Sequence, residues 1–309
     1  MPSIDIIVPV YNGEDTVGLL VERVMDLSVP DGWALHMIVT DDGSTDATRD
    51  QLHRRENTRL QVVALPHQGG RGGACNQAAA QSTADYLLML DADCMPAGQC
   101  YLDALLSRIQ EGAEVVYGPI GSAGEGFWGR YLLEVERARH AQSLAGEHLM
   151  AMTTANVLVR RALFESAGGF CTDYRYYGFE DKDLIVRLLK LTGRVSYEPL
   201  MLVTHHAGNS VRSYCRKMRE AGRWTAPVFY ARNPDAYRGM AYERLDPDLK
   251  SWPVRQFLRF LGRWSAGIAE WLAGRSIDST ILPWQLQLGL IRLAGGLNYL
   301  QGCALRSQR

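Results

Sequence analysis

The chain has 309 residues, of which 47% are hydrophobic and 22% charged, and its formal net charge is -1. This composition supports a core in one large or two modest domains, and it excludes a disordered chain, a collagen-like repeat and an overall charge suited to nucleic acid. The six cysteines form no CxxC pair or zinc-finger spacing, and no secretory hydrophobic segment opens the chain. We therefore expect a reducing, cytoplasmic environment.

Strand and helix patterns alternate over the first ninety residues. Apolar, β-branched runs predict strands, and helical spacing of apolar residues predicts helices between them. The predicted strands cover residues 4–10, 35–40, 60–64 and 86–90, and the predicted helices cover residues 17–27, a stretch from Asp46 capped by Ser44 or Thr45, and residues 73–82. This alternation is typical of a parallel sheet with crossover helices and predicts a nucleotide-binding α/β domain.

The pattern loosens after a further strand at residues 115–117. The glycine-rich residues 118–129 predict a mobile loop near a site, and residues 156–160 predict a short strand. An aromatic loop at residues 174–179 leads into a helical stretch at residues 184–191. Four prolines then predict a hinge-like region before the C-terminal tail: Pro227, Pro234, Pro247 and Pro253.

Three acidic pairs follow predicted strands or loops: Asp41 with Asp42, Asp91 with Asp93, and Glu180 with Asp181. Ligands of open α/β sheets bind beyond the carboxyl ends of the strands, so the three pairs are candidates for one crevice. Each pair alone is more often a set of solvated loop carboxylates.

Asp91 and Asp93 are the most informative pair, because a buried apolar strand at residues 86–90 precedes them directly. Neighbouring carboxylates at the end of such a strand require a compensating cation. Their hard oxygen atoms suit Mg²⁺ or Mn²⁺, which usually also bind substrate phosphates. The pair therefore predicts a nucleoside-diphosphate ligand.

These segments together resemble the family-2 glycosyltransferases with a GT-A fold, in order and spacing, over roughly residues 3–210. The matching segments are residues 7–12 (IVPVYN), 41–46 (DDGSTD), 90–93 (LDAD), 169–170 (GF) and 180–184 (EDKDL). The resemblance implies an α/β fold with a Rossmann-like, mostly parallel central sheet flanked by helices. It implies a catalytic domain at residues 1–215, with the nucleotide sugar bound roughly by residues 1–120 and the acceptor roughly by residues 120–215. Residues 216–309 would form a helical C-terminal extension.

The resemblance also implies a role for each motif residue. The base of the nucleotide would be held by Pro9, Tyr11, Asn12 and the carboxylate of Asp41 or Asp42. Asp91 would contact the ribose or the metal, and Asp93 would bind Mn²⁺ or Mg²⁺. Asp181 would be the general base, with Glu180 beside it in the acceptor site. The chemistry agrees, since transfer needs a metal to neutralise the diphosphate and a carboxylate to accept a proton from the acceptor hydroxyl. A single in-line displacement would invert the anomeric centre.

Two histidines and one arginine are further candidates. His205 and His206 follow a predicted strand at residues 201–204, where relatives are expected to carry a metal ligand, and strand alternation allows only one of the two to face the metal. The alternative is a pair of ordinary loop histidines. Arg71 lies in the glycine-rich run 69–73, which lacks the ending of a phosphate loop. Because Cys75 stands where many relatives have arginine, Arg71 is a candidate for the donor phosphates or base; the alternative is a solvated arginine in a glycine turn.

The C-terminal part combines positive charge with apolar residues at helical spacing. Residues 250–309 contain eight lysines and arginines against Glu270 and Asp278, and no segment reaches the roughly 20 apolar residues of a membrane span. Arg223 and Trp224 resemble the end of the Gln-x-x-Arg-Trp motif of processive synthases, but Glu220 replaces the glutamine, so processive export is not expected. Arg223 and Trp224 would either close over the acceptor or diphosphate or pack within an amphipathic helix. The tail helices would lie on an anionic membrane, or pack against the catalytic domain or a second subunit.

The prediction is a metal-dependent, inverting glycosyltransferase of the hexosyl-transferring type that acts in polysaccharide biosynthesis. Its partners would be a nucleotide sugar, most commonly a UDP-sugar, and a saccharide or lipid-linked acceptor, with no nucleic acid. It would be cytoplasmic, with either peripheral contact at the inner face of the cell membrane or homo-oligomer formation through its C-terminal helices. One alternative is a sugar nucleotidyltransferase, whose usual glycine-rich loop after the first strand is absent. Another is a catalytically silent nucleotide-sugar-binding scaffold on a membrane, which the Glu180–Asp181 pair disfavours.

Overall fold

The computed structural model describes residues 1–66, 70–98, 100–206 and 208–306. The chain divides into two compact units. The first comprises Met1–Thr172 and Leu184–Ala207, and the second comprises Asp173–Asp183 and Gly208–Arg309. The predicted boundary at residues 215 and 216 therefore differs from the division of the chain, which also assigns the aromatic loop before Glu180 to the second unit. The predicted split of the catalytic part into nucleotide and acceptor halves stays a prediction.

The first unit contains strands and helices in alternation. Its strands are β1 (Ser3–Val10), β2 (Ala34–Asp41), β3 (Leu60–Ala64), β4 (Tyr86–Leu90), β5 (Cys94–Pro96), β6 (Val115–Tyr117), β7 (Ile120–Ser122), β8 (Asn156–Arg160), β9 (Val195–Tyr197) and β10 (Val203–His205). Its helices are α1 (Val17–Met25), α2 (Thr48–His53), α3 (Gly70–Gln81), α4 (Tyr101–Gln110), α5 (Gly126–Leu144), α6 (His148–Ala151) and α7 (Arg161–Ser166). Helix α8 (Glu180–Leu191) has its first four residues in the second unit.

Within the described ranges, seven strands form the central sheet in the order β3-β2-β1-β4-β8-β6-β9. Strands β3, β2, β1 and β4 are parallel neighbours, and β8 runs antiparallel to both β4 and β6. The side chains of β1 are buried on both faces, Ile6 and Val8 in one apolar cluster and Ile7 in the other. Continuous apolar runs are the expected sequence pattern for strands covered on both faces. The predicted α/β fold with a mostly parallel sheet and C-terminal helices is confirmed.

A second sheet joins three short strands in the order β5-β10-β7. Strand β7 lies in the stretch predicted to be a mobile glycine-rich loop, and α5 begins at Gly126 in the same stretch, so that prediction is wrong. The glycines there permit close packing of backbone. A Cβ atom on Gly118 would lie 1.8 Å from the carbonyl oxygen of Met201, and one on Gly129 would lie 1.9 Å from that of Gly124.

The start of α2 also differs from the prediction. The helix begins at Thr48, and neither Ser44 nor Thr45 caps it. The Ser44 hydroxyl accepts a hydrogen bond from the Asn12 N–H at 2.9 Å, while Asp46 accepts one from the Thr48 N–H at 3.0 Å. The two predicted capping residues therefore belong to the loop after β2.

The second unit is helical. Its elements are α9 (Val211–Glu220), a π-helical segment (Ala221–Thr225), α10 (Ala226–Arg232), α11 (Pro234–Arg238), α12 (Ala241–Leu245), a 3₁₀ turn (Pro247–Leu249), α13 (Trp252–Ile277) and α14 (Trp284–Arg306). The four prolines predicted to form a hinge each lie in the first turn of one of these helices, so the hinge prediction is wrong. Proline suits that position because the first turn needs no intrahelical N–H donor. None of the helices in the described part of the chain is long and apolar enough to span a bilayer.

Candidate active site

The carboxyl ends of three adjacent strands place most of the predicted donor-binding residues at one edge of the central sheet. Val10 at the end of β1 lies opposite Asp41 at the end of β2, and Ile7 of β1 lies opposite Met89 of β4. Neighbouring strands are about 4.8 Å apart. Pro9 and Asp41 are the predicted residues within the ends of β1 and β2, and the residues just beyond the strand ends are Tyr11, Asn12, Asp42, Asp91 and Asp93. Their proximity follows from the register of the main chain.

Asp41 holds the loop after β2. Its side chain is fully buried, with one oxygen accepting the Ser44 N–H at 2.9 Å and the other accepting the Arg49 Nε–H at 2.8 Å. Asp42 is 4% exposed, and its N–H donates to the carbonyl of Val10. Of the two acids predicted to hold the base, Asp41 therefore also has a clear role in loop geometry.

The loops after β1 and β2 bind each other through Asn12. Its side-chain oxygen accepts the Thr45 N–H at 2.8 Å, and its own N–H donates to the Ser44 hydroxyl. Asn12 has a φ of 49°, in the left-handed region that asparagine tolerates better than most residues. The adjacent Tyr11 side chain is 48% exposed.

Arg71 contacts Asp91 at the same edge. Its Nε–H donates to Asp91 Oδ1 at 2.9 Å, and its Nη1 donates to the Thr154 hydroxyl at 2.7 Å. Arg71 lies in the first turn of α3; Gly69, in the same glycine run, is outside the described residues. Sequence reasoning placed Arg71 and Asp91 in the donor site separately and missed both their ion pair and Thr154. A single threonine outside any motif carries no signal by which it could have been found.

Asp93 and His205 form the candidate metal centre. Asp93 Oδ2 lies 3.3 Å from His205 Nε2, and the Cys94 thiol lies 3.6 Å from Asp93 Oδ1. Strand β10 brings the histidine there, because it pairs antiparallel with β5 and places His205 opposite Cys94. The imidazole of His206 instead lies 3.1 Å from the Thr204 hydroxyl, and its backbone N–H donates to the carbonyl oxygen of Asp93. The two histidines therefore have different side-chain contacts, and which of them binds a metal stays a prediction.

The local charge agrees with a cation site. Burial raises the pKa of the Cys94 thiol well above its ordinary value, and the negative charges of Asp91 and Asp93 raise it further. No group of three or more acidic, histidine or cysteine side chains within the described ranges could hold a metal by itself. Carboxylate and imidazole fit Mn²⁺ or Mg²⁺ when substrate phosphates complete the coordination.

The second unit contains the other acidic motif, at the start of α8. Glu180 is 9% exposed and accepts the Gly178 N–H at 3.0 Å. Asp183 is fully buried, and its Oδ1 accepts hydrogen bonds from the Tyr174 hydroxyl, Arg232 Nε and Asn233 Nδ2. Asp181 is only partly buried, and its Oδ1 accepts the N–H of the next residue at 2.7 Å. Asp181 is therefore the most accessible of the three carboxylates.

Unusual backbone geometry precedes these acids. Gly178 has a φ of 105° and Phe179 a φ of 67°, which is strained for a bulky residue. The Phe179 ring packs against Phe229 at a centroid distance of 5.1 Å and against Tyr242 at 5.2 Å. Such strain persists only where packing enforces it, and it clusters at functional sites. The aromatic packing thus fixes the direction in which the chain enters α8.

The same loop carries exposed aromatic rings. Tyr176 is 49% exposed and stacks on Trp224 with a centroid distance of 5.0 Å and an interplanar angle of 14°. The Arg223 guanidinium lies 4.4 Å from the centre of the Trp224 ring, and Lys217 lies 5.1 Å from that of Tyr177. Arg223 and Trp224 belong to the π-helical segment, where both remain partly exposed. Sequence reasoning did not single out Tyr176, although its place in an aromatic loop before the acids was a signal.

A mostly parallel sheet with acidic residues beyond its strand ends is the arrangement in which open α/β proteins bind their ligands. The sequence matches the glycosyl transferase family 2 over residues 5–168, which is more than half of the chain, and the chain belongs to that family. The predicted resemblance and the predicted class of enzyme, a glycosyltransferase, are confirmed.

One relative and two solved structures illustrate the similarity. The pre-mycofactocin glycosyltransferase of Mycobacterium tuberculosis H37Rv is 27% identical over 283 residues, covering 89% of this chain but only 57% of the relative. The chain thus spans little more than half of that relative's length. The mannosyltransferase PcManGT of Pyrobaculum calidifontis, solved with GDP-Man and Mn²⁺, is 18% identical with a TM-score of 0.58, over 99% of this chain and 86% of that one. S. aureus TarS 1-349 with UDP-GlcNAc is 18% identical with a TM-score of 0.59, over 100% and 92%. These two structures show a shared fold.

Proposed function

We propose that this protein transfers a sugar from a nucleoside-diphosphate donor to the hydroxyl of a saccharide or lipid-linked acceptor, with inversion at the anomeric carbon. The observation that carries the proposal is the Asp93–His205 pair, which lies at the sheet edge that also holds the donor-binding motifs. Family membership supports sugar transfer. Fold relatives bind UDP-GlcNAc in one case and GDP-Man in another, which supports a nucleotide-sugar donor, and we take a UDP-sugar as the first candidate.

In the proposed donor site, each loop has a separate task. The backbone from Pro9, with Tyr11 and Asn12, and the carboxylate of Asp42 would hold the base, while Asp41 keeps the loop in shape through Arg49. Asp91 would accept hydrogen bonds from the ribose. Arg71, which Asp91 already holds at this edge, would contact the diphosphate, since a guanidinium suits phosphate oxygens.

Mn²⁺ or Mg²⁺ would be held by Asp93 and His205 together with oxygen atoms of the donor diphosphate. This ion would neutralise the negative charge of the departing nucleoside diphosphate. The mannosyltransferase of the same fold was solved in complex with GDP-Man and Mn²⁺, which supports a divalent cation here. Asp91 would lie close to the ion without being required as a ligand, because Arg71 already accounts for its charge.

Asp181 is the proposed general base. The acceptor hydroxyl oxygen would form the new bond to the anomeric carbon while the bond from that carbon to the diphosphate oxygen breaks with its electron pair. The hydroxyl proton would pass to Asp181, the most accessible acid of its motif. Glu180 would keep the preceding loop in place through the Gly178 N–H.

The Tyr176–Trp224 stack is the proposed acceptor surface. The Tyr176 ring is 49% exposed and stacks on Trp224 with one face, so its other face is the flat apolar surface that suits the C–H face of a sugar ring. The stack lies in the same unit as Asp181 and includes the loop that leads to it. This supports an acceptor with at least one saccharide ring, whether or not a lipid carries it.

The test uses the purified chain with UDP-, GDP- and dTDP-sugars, each with Mn²⁺, with Mg²⁺ or with chelator. We expect one nucleotide class to raise the melting temperature and to release nucleoside diphosphate, and the chelator to abolish both effects. Absence of binding by every nucleotide sugar would overturn the proposal. Formation of a nucleotide sugar and pyrophosphate from a nucleoside triphosphate and a sugar phosphate would replace it with the nucleotidyltransferase alternative.

A further inference from the structure

Helix α13 in the second unit carries its large apolar side chains on its outward face. Five residues at helical spacing form this aromatic stripe, and each is at least 59% exposed: Phe257, Phe260, Trp264, Ile268 and Trp271. Their spacing of three and four residues places them on one side of the helix. The stripe runs for about 21 Å along the helix axis.

The opposite face of α13 is buried and made of small residues. Gly262, Ala266, Ala269 and Ala273 lie on it. The contact with α14 is so close that a Cβ atom on Gly262 would lie 2.6 Å from the carbonyl carbon of Leu300. The helix therefore packs through its small side chains. The five residues of the aromatic stripe lie on the other side of the helix and remain exposed.

Exposed apolar side chains also follow the helix in the sequence. Ile281, in the connection between α13 and α14, is 90% exposed, and Leu286 in the first turn of α14 is 56% exposed. A cluster of exposed large apolar side chains marks an interaction site more often than single exposed residues do.

The charges beside the aromatic stripe are mainly positive. Arg263 is exposed next to Trp264, and the Arg275 guanidinium lies 5.0 Å from the centre of the Trp271 ring. Two acids lie near these arginines. Glu270 forms an ion pair with Arg219, and Asp278, which directly follows α13, is exposed. Arginines beside tryptophan and phenylalanine are typical of helices that lie in the interface of an anionic membrane.

We propose that the aromatic stripe of α13 docks this protein on an anionic lipid bilayer. The rings and Ile268 would enter the boundary between headgroups and acyl chains, and Arg263 and Arg275 would contact lipid phosphates. Anionic lipid complements these charges, whereas a second copy of the same face would bring the arginines of both copies together. The proposal concerns a surface of the second unit and does not depend on the proposed sugar transfer.

The experiment measures flotation of the whole chain with phosphatidylcholine vesicles, with and without a minority of phosphatidylglycerol. We expect binding to the anionic vesicles that weakens as sodium chloride rises from about 0.1 M to about 1 M. The double variant Phe260→Ser with Trp264→Ser should bind at least about tenfold more weakly. The matched control is Leu144→Ser with Leu200→Ser, which removes two equally exposed leucines of the first unit and should bind as the parent does.

A second variant, Arg263→Glu with Arg275→Glu, keeps the test decisive if the serine variant fails to fold, as judged by circular dichroism. It should lose the preference for anionic vesicles, and retention of that preference would count against the proposal. Failure of the parent to float, or equal binding by the stripe and control variants, would overturn it. Light scattering without lipid supplies a further test. If the parent were a dimer and the Phe260→Ser, Trp264→Ser variant a monomer, the stripe would be a dimer interface and the membrane proposal would be overturned.

Discussion

The two units hold their acidic residues by different means. In the first unit, Asp41, Asp91 and their neighbours follow the ends of adjacent parallel strands, so the register of the sheet sets their positions. In the second unit, the acids open a helix, and their direction depends on the strained Phe179 and the rings packed around it. One arrangement relies on main-chain hydrogen bonds and the other on side-chain packing.

This difference shows that acids within one motif are not equivalent. Asp41 is committed to Ser44 and Arg49, although it belongs to the same pair as Asp42. Within residues 180–183, Asp183 is buried and accepts hydrogen bonds from three side-chain donors, while the side chain of Asp181 is partly exposed to solvent. Each unit therefore uses some acids to build the site and leaves others for ligands. Substitutions of neighbouring acids should separate the two roles.

The helices differ in a parallel way. Helix α1 of the first unit buries its large apolar residues, such as Leu20 and Val24, and exposes polar ones. Helix α13 buries small residues and exposes its aromatic stripe. An amphipathic pattern therefore identifies a distinct apolar face without deciding whether the folded chain covers it.

The largest expected effect is on turnover, from Asp181→Asn. Removing the proposed base should lower the transfer rate by about 10²- to 10⁴-fold, because proton acceptance by a positioned group contributes about that much. Donor affinity, measured by calorimetry, should not change. Asp235→Asn is the matched control, since Asp235 is an almost fully exposed acid of the same unit and should leave the rate unaltered. Normal turnover of the Asp181 variant would contradict the assigned role.

The next effect is on stability, from Asp183→Ala. Three donors would lose a buried acceptor, which should lower the free energy of unfolding by about 2–4 kcal/mol. Urea unfolding at constant pH measures this loss. Asp181→Ala should change the stability by no more than about 0.5 kcal/mol, as expected for an accessible side chain. If the two variants lost the same free energy of unfolding, Asp183 would not have the structural role that distinguishes it from the accessible Asp181.

The central fold was predictable because its signals are local. The strands at residues 86–90, 115–117 and 156–160 occur where apolar runs predicted them. A strand covered on both faces needs a continuous apolar sequence, and that pattern is visible without knowledge of its neighbours. The same pattern predicted acidic residues at the ends of β2 and β4, whereas their donor-binding roles came from the family resemblance and stay predictions.

Other features depend on contacts between distant residues. Glycine at position 118 permits close approach to Met201, and composition alone cannot distinguish this from mobility. The assignment of His205 depends on its register opposite Cys94 across β5 and β10. The Arg71–Asp91 pair joins residues twenty positions apart. None of these contacts has a local sequence signature.

The smallest expected effect comes from the two histidines. It also tests most directly whether the register between β5 and β10 places the metal-binding side chain in the first unit. His205→Ala should weaken Mn²⁺-dependent nucleotide binding by at least about tenfold, because it removes a proposed ligand beside Asp93. His206→Ala should stay within about twofold of the parent, since its imidazole faces Thr204. Calorimetry with the nucleoside diphosphate, in Mn²⁺ and in chelator, measures both variants, and binding in chelator should be the same for the two. If the His206→Ala variant bound the nucleotide more weakly than the His205→Ala variant, strand register would not explain the position of the metal ligand. The first unit would then not place its site residues through the sheet, and the comparison of the two units would be wrong.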